Sequence, residues 1–97
     1  MANLRTISVY NVTLTNANTE YSQELPPNAR ALAVQPRTAV DVRIAFVTGK
    51  VATPTAPYFT MKTGNAFSLQ ELQADSTTVY LASATAGTVV EIIVGSW

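Results

Sequence analysis

Two pairs of carboxylates are the residues in this chain most suited to acid–base or metal chemistry. Glu20 and Glu24 are four positions apart, which on a strand places them on one face at about 13 Å. That separation is too wide for an acid–base pair or for one shared metal ion, so we interpret them as solvated charges at a strand edge. Glu71 and Asp75 could give two oxygens to a calcium ion, but the further ligands that such a site needs are not near them. We therefore expect no metal site.

Nucleophilic catalysis is disfavoured by residue types that the chain lacks. It contains no cysteine and no histidine, which removes the thiolate nucleophile, the commonest general base and the commonest zinc ligand. A serine–lysine pair would have to use Lys50 or Lys62, and neither lies in the apolar setting that activates a lysine. The four glycines are isolated and match no phosphate-binding spacing. We predict that the protein is not an enzyme and needs no cofactor.

The charge balance argues against nucleic acid and membranes as partners. Six basic and six acidic side chains give a net charge of zero, so no long-range field would steer the chain to a polyanion. The N-terminus does not resemble a secretion signal, and no apolar run approaches the ~20 residues that span a bilayer. Only 12% of the residues are charged, about half the usual share. We expect a soluble, ion-poor chain that is made in a cytoplasm and suits an assembly.

Apolar residues recur at every second position between clusters rich in Asn, Gly, Pro, Ser and Thr, which predicts strands rather than helices. Turns are expected at residues 16–18, 48–50, 63–65 and 86–87. Seven or eight short strands result, so we predict an all-β fold in a single domain, residues 1–97. The favoured architecture is an antiparallel two-sheet sandwich, with a jelly-roll-like arrangement possible and a small barrel next.

Four stretches predict which side chains face the core, because alternate residues of a strand share a face. Pro36 should end its strand or keep it at an edge. The inward residues are Val40, Val42, Ile44 and Phe46 in VDVRIAF, Leu32 and Val34 in RALAVQP, Phe59 and Met61 in PYFTMKT, and Val79 and Leu81 in TTVYLAS.

Two stretches depart from simple alternation. In TISVYNVTL the apolar positions change phase, from Ile7 and Val9 to Tyr10 and Val12, which predicts a bulge near Val9 and Tyr10. In FSLQELQAD, residues 67–75, a leucine spacing of three residues permits a short helical turn.

The closing stretch TVVEIIVGSW, residues 88–97, is apolar on both faces of a strand. If Val90, Ile92 and Val94 fill the core, the other face presents an apolar patch to the outside. Patches of this kind usually mark contacts between molecules. We therefore predict an interface that contains Val89, Glu91, Ile93, Trp97 and Arg43.

A carboxylate within such an interface needs a basic partner. We expect Arg43 or Arg5 to meet Glu91. The alternative is that the closing strand is central and one of the chain's own loops covers it. The candidate for that cover is VATPTAP, residues 51–57, which is predicted to be extended or mobile.

Three stretches resemble small β-rich virion proteins of tailed bacteriophages: ARALAVQPRTAVDVRIAF, PYFTMKTGNAFSLQEL and TTVYLASATAGTVVEIIVGSW. The shared features are a "YFT" strand that opens a Gly-Asn turn, a "YL" strand, an Ala-Gly turn and a closing "VVEI" strand, over about residues 29–97. The resemblance implies a capsid decoration, or cement, protein that binds the major capsid protein as a homo-oligomer, commonly a trimer. It also implies localisation in the virion.

Two other functions remain open from the sequence. A module associated with a phage tail or fibre could use the same fold to bind a host glycan or an adaptor, and would show clustered exposed Tyr or Trp beside a cleft. A non-viral accessory sandwich should instead be a monomer whose closing strand is covered by its own chain.

Overall fold

The computed structural model describes residues 6–70 and 77–96. These residues form eight strands and no helix, arranged as two antiparallel sheets of four strands each. This confirms the predicted all-β sandwich. The strands are β1 (Thr6–Leu14), β2 (Tyr21–Glu24), β3 (Ala29–Pro36), β4 (Val42–Ala45), β5 (Phe59–Met61), β6 (Phe67–Leu69), β7 (Thr78–Ala82) and β8 (Thr88–Ser96).

The strand order is that of a jelly roll. Sheet one has the order β1-β8-β3-β6 and sheet two the order β2-β7-β4-β5. Strand β1 pairs with β8, β2 with β7, β3 with β6 and β4 with β5, so the chain behaves as one long hairpin rolled into two sheets. Because β1 and β2 each join a sheet, the N-terminal part of the described chain belongs to the sandwich and is not a free arm.

The core lies between the sheets and is formed by alternate residues of the strands. Val90, Ile92 and Val94 of β8 are fully buried, which confirms the inward face predicted for that strand. Most of the other predicted core residues are confirmed as well. These are Leu32, Val34, Val42, Ile44, Met61, Val79 and Leu81.

The prediction that Phe46 and Phe59 lie in the core is wrong. Phe46 follows the last residue of β4 and is 42% exposed, and Phe59 is 53% exposed. Strand β5 is the outermost strand of sheet two, so an inward side chain on it lies at the rim of the sandwich. There the ring of Phe59 meets the ring of Phe67 from sheet one, with centroids 5.1 Å apart. The pattern of alternation identifies a face, but it does not show that the face is covered.

The predicted bulge in β1 is also wrong. The pairing of β1 with β8 runs without a shift from Thr6 opposite Ser96 to Leu14 opposite Thr88. Ile7 and Val9 simply point away from the core, with about two thirds of each side chain exposed. The phase change therefore marks a strand with apolar residues on both faces.

The helical turn predicted for residues 67–75 is wrong where the structure describes it. Phe67–Leu69 is strand β6, which pairs with β3 through Val34 opposite Phe67 and Leu32 opposite Leu69. The helical turn was predicted because Leu69 and Leu72 are three residues apart. Leu69 instead packs against the core from strand β6. Residues 71–75 lie outside the described part of the chain.

Candidate interaction surface

The predicted interface on β8 lies on the outer face of sheet one, meaning the side chains of β1, β8, β3 and β6 that point away from the core. The central row of this face runs across all four strands. Val9 is opposite Ile93, Ile93 is opposite Ala33, and Ala33 is opposite Ser68. In the next row towards the end of β8, Ile7 and Ala31 both pair with Gly95.

Large and small side chains on this outer face produce a knob between two hollows. Ile93 is 47% exposed and stands beside the small residues Ala33 and Gly95. One hollow of about 220 Å³ lies over Gly95 and is lined by Ile7, Ala31 and Ile93 among others. A second hollow of about 350 Å³ lies on the Glu91 side of Ile93. Both are shallow and open, so they suit protruding side chains better than an enclosed small molecule.

Glu91 lies at one end of this face, where it accepts hydrogen bonds from Gln35 of β3 and from Arg37, which directly follows β3. Gln35 Nε2 donates to Glu91 Oε1 at 3.0 Å, and Arg37 Nε donates to Glu91 Oε2 at 3.0 Å. These two hydrogen bonds lower the pKa of Glu91 below its ordinary value, and the bond from Gln35 has the larger effect. The carboxylate is therefore ionised and neutralised within its own chain.

The predicted basic partner of Glu91 is thus wrong. Arg37 makes the ion pair, because Pro36 pairs with Val90 and the chain leaves β3 beside β8 at that point. Arg43 lies in β4 of the opposite sheet. Arg5 lies outside the described residues.

Arg43 has a different role, since its guanidinium group binds the segment that follows its own strand. Nε donates to the carbonyl oxygen of Val51 at 2.7 Å, and Nη2 donates to Asn18 Oδ1 at 2.8 Å and to the Ala52 carbonyl oxygen at 3.4 Å. Arg43 therefore ties the segment 46–58 to the outer side of sheet two.

The segment 46–58 covers the outer side of sheet two and not the closing strand. Val51 is completely buried and packs in a small cluster with Ala45 and Ala82, both of which belong to sheet two. Glu20 fixes the start of the same segment, because it accepts hydrogen bonds from Thr48 Oγ1 at 2.7 Å and from Gly49 N at 2.9 Å. The alternative in which residues 51–57 cover β8 is therefore wrong. Strand β8 is central, but its exposed Ile93 lies on the other side of the molecule from this segment.

Of the carboxylates first considered for acid–base or metal chemistry, Glu20 accepts hydrogen bonds from the segment 46–58, as described above. A further carboxylate, Asp41, accepts from Thr63 N and Oγ1 and lies 3.9 Å from Lys62 Nζ. The bonds from Thr63 lower the pKa of Asp41. Within residues 6–70 and 77–96, no three His, Cys, Asp or Glu side chains are grouped as metal ligands, and no helix is long and apolar enough to cross a membrane. Glu71 and Asp75 lie outside those residues.

The predicted interface residues are brought together only in part. Val89, Glu91 and Ile93 share the outer face of sheet one, whereas Arg43 is on sheet two and Trp97 is not among the described residues. Sequence reasoning missed Ile7 and Val9, which lie beside β8 on that face. Their signal was present as the change of phase in β1, which was interpreted as a bulge.

Comparisons with known proteins provide a fold and no family. No family model matches the chain, and no curated protein matches it. A de novo designed double-stranded β-helix, solved by solution NMR, is similar in structure with a TM-score of 0.54 and 11% sequence identity, over 95% of this chain and 100% of that one. A structure described as Bacillus endospore appendages that form a novel family of disulfide-linked pili has a TM-score of 0.43 and 20% identity, over 94% of this chain and 87% of that one. The first supports the two-sheet fold, and neither carries a function to this chain.

Proposed function

We propose that this protein is a non-enzymatic structural component of a phage particle, a capsid decoration protein that acts as a homo-oligomer on the major capsid shell. The observation that carries the proposal is the asymmetry of the two sheets. The outer side of sheet two is partly covered by the chain's own segment 46–58 through the buried Val51, while Ile7, Val9 and Ile93 are exposed on the outer face of sheet one. An apolar surface of this kind on a small domain with a net charge of zero is typical of a contact with another molecule.

A decoration protein needs two contacts, one with its own copies and one with the shell. We assign the first to the outer face of sheet one. Four further apolar residues near the paired ends of β4 and β5, where Ile44 is opposite Phe59, are exposed by 39 to 58%. We assign these residues, which we call the shell patch, to the contact with the shell. The residues of the shell patch are Phe46, Val47, Tyr58 and Phe59.

A glycan-binding tail or fibre module is less well supported. Such a site would present several aromatic rings beside a cleft, but Tyr10 and Tyr21 pack against the main core and Tyr80 against the smaller cluster. Of the described tyrosines, Tyr58 alone is among the strongly exposed apolar residues. We therefore retain the structural function.

Cosedimentation with empty shells assembled from the major capsid protein of the phage that encodes the chain tests this function. The wild-type protein should pellet with the shells to a saturating ratio. Val47→Asp should reduce that binding, and Ser22→Asp, an exposed change on β2 away from both patches, should not. A wild-type chain that stays in the supernatant would refute the proposed function.

A further inference from the structure

We propose that the outer face of sheet one binds a second copy of this chain about a twofold axis, with Ile93 of each copy seated in the hollow over Gly95 of the other. This inference deepens the proposed function and rests on it for its biological setting. The shape, the charge and the area of this face each favour a second copy of the chain as its partner.

The knob and the hollow on β8 are complementary to each other in shape. The knob, Ile93, and the hollow over Gly95 are two residues apart on β8, so their centres are separated by about 7 Å along the strand. A twofold axis that crosses β8 between them places each knob over the partner's hollow in a single contact. Because knob and hollow point in the same direction, the contact is mutual and closes with two copies. A trimer, as the resemblance implies, would need two surfaces that point in different directions.

The charge on the face also favours the chain itself as the partner. Glu91 and Arg37 are the charged side chains at its end, and they neutralise each other at 3.0 Å. Hydrogen bonds from Gln35 and Arg37 draw the Glu91 carboxylate towards β3, away from the knob and the Gly95 hollow. The Glu91 end of the face therefore offers no unpaired charge to a charged partner, and two copies of that end would not repel each other.

The area is sufficient for a weak, reversible pair. Strands β1, β8 and β3 have eight or nine residues each and β6 has three, so spacings of about 4.8 Å between strands and about 3.3 Å per residue give a face of about 450 Å². The pair would then cover about 900 Å², which is below the roughly 1,000 Å² of a stable specific interface and is typical of a weak contact. We therefore expect a concentration-dependent dimer in the micromolar range.

Sedimentation velocity over a micromolar concentration series tests the pairing in the absence of any capsid. The 10.4 kDa chain should approach twice that mass as its concentration rises. Ile93→Asp removes the knob and Ala31→Leu fills the hollow, and each should weaken the dimer by at least about 30-fold. Val47→Asp, which adds the same charge at an exposed valine outside this face, should dimerise like the wild type.

Cysteine trapping keeps the test decisive if either variant folds poorly. The natural chain has no cysteine, so Ile93→Cys and Ala31→Cys each introduce a single thiol. Mixed under mild oxidation, the two variants should form a disulfide-linked heterodimer faster than Ile93→Cys mixed with Val47→Cys. A wild-type chain that is monomeric throughout, or that forms three-chain species, overturns the pairing. A monomer that still binds shells refutes the pairing but not the proposed binding to the shell, and a dimer that does not bind shells refutes the binding to the shell but not the pairing.

Discussion

Replacing Arg43 by methionine should release the segment 46–58 from sheet two. The change keeps an unbranched, apolar side chain but removes every donor of the guanidinium group. Two of its hydrogen bonds are short, at 2.7 Å to the Val51 carbonyl oxygen and 2.8 Å to Asn18 Oδ1. Hydrogen bonds from a charged group contribute about 1.5–3 kcal/mol each. Asn18 is exposed and can bind water instead, whereas the Val51 carbonyl lies beside a fully buried side chain, so we expect a loss of about 2–3 kcal/mol.

Limited trypsin digestion followed by mass spectrometry measures this release directly. Lys50 precedes the buried Val51, so cleavage between them requires the segment to open. A loss of about 2 kcal/mol should raise the rate of that cleavage about 30-fold, since 1.4 kcal/mol is a factor of ten. Cleavage after Lys62, in another loop, provides an internal reference and should accelerate far less.

Arg37→Met is the matched control for Arg43→Met. Arg37 donates to the carboxylate oxygen Glu91 Oε2 at 3.0 Å, but its side chain is half exposed, so its loss should change the free energy of unfolding by less than about 1 kcal/mol. Unchanged cleavage after Lys50 and unchanged urea unfolding in Arg43→Met would contradict this role of Arg43. An equal loss of unfolding free energy in the two arginine variants would contradict it as well.

Three further predictions concern stability and are checked by urea unfolding. Leu81→Ala empties a fully buried site and should cost about 2–5 kcal/mol, and a cost below 1 kcal/mol would show that the core is not packed as described. Gly87→Ala should lower the free energy of unfolding by about 1 kcal/mol from backbone conformation alone, because Gly87 has φ +77° and an added Cβ would meet nothing within 4 Å. An unchanged urea midpoint would contradict the positive φ of that turn. The lowered pKa of Glu91 means that its stabilisation is present above pH 4.5 and is lost as the pH falls through its folded pKa. Glu91→Gln should therefore flatten the fall in stability below pH 4.5, and a pH profile parallel to that of the wild type would refute the hydrogen bonds to Gln35 and Arg37.

The sequence predicted the strands and most of their inward residues, because alternation directly reports the two faces of a strand. It failed where burial depends on a distant element. Phe59 has the pattern of a core residue, but its strand is at an edge of the sheet, and edge position follows from topology. Phe46 continues the alternation of β4 beyond the point where the strand ends.

The candidate surface was predicted in outline from β8 alone and completed only by its neighbours in the sheet. Residue types gave no way to choose among the arginines, and Arg37 meets Glu91 because β3 and β8 pair in a particular register. The same register places Ile7 and Val9 beside Ile93. An apolar phase change in a strand can thus indicate a second contact face as well as a bulge.

The four isoleucines offer the most direct test of the claim that another molecule covers the outer face of sheet one. Ile44 and Ile92 are buried in the core, whereas Ile7 and Ile93 are 66% and 47% exposed on that face. In a protein labelled at the isoleucine methyl groups, NMR spectra recorded during dilution should show the signals of Ile7 and Ile93 moving with concentration, with those of Ile44 and Ile92 nearly fixed. Four signals that stay constant across the whole concentration range, or that all move equally, would contradict the account.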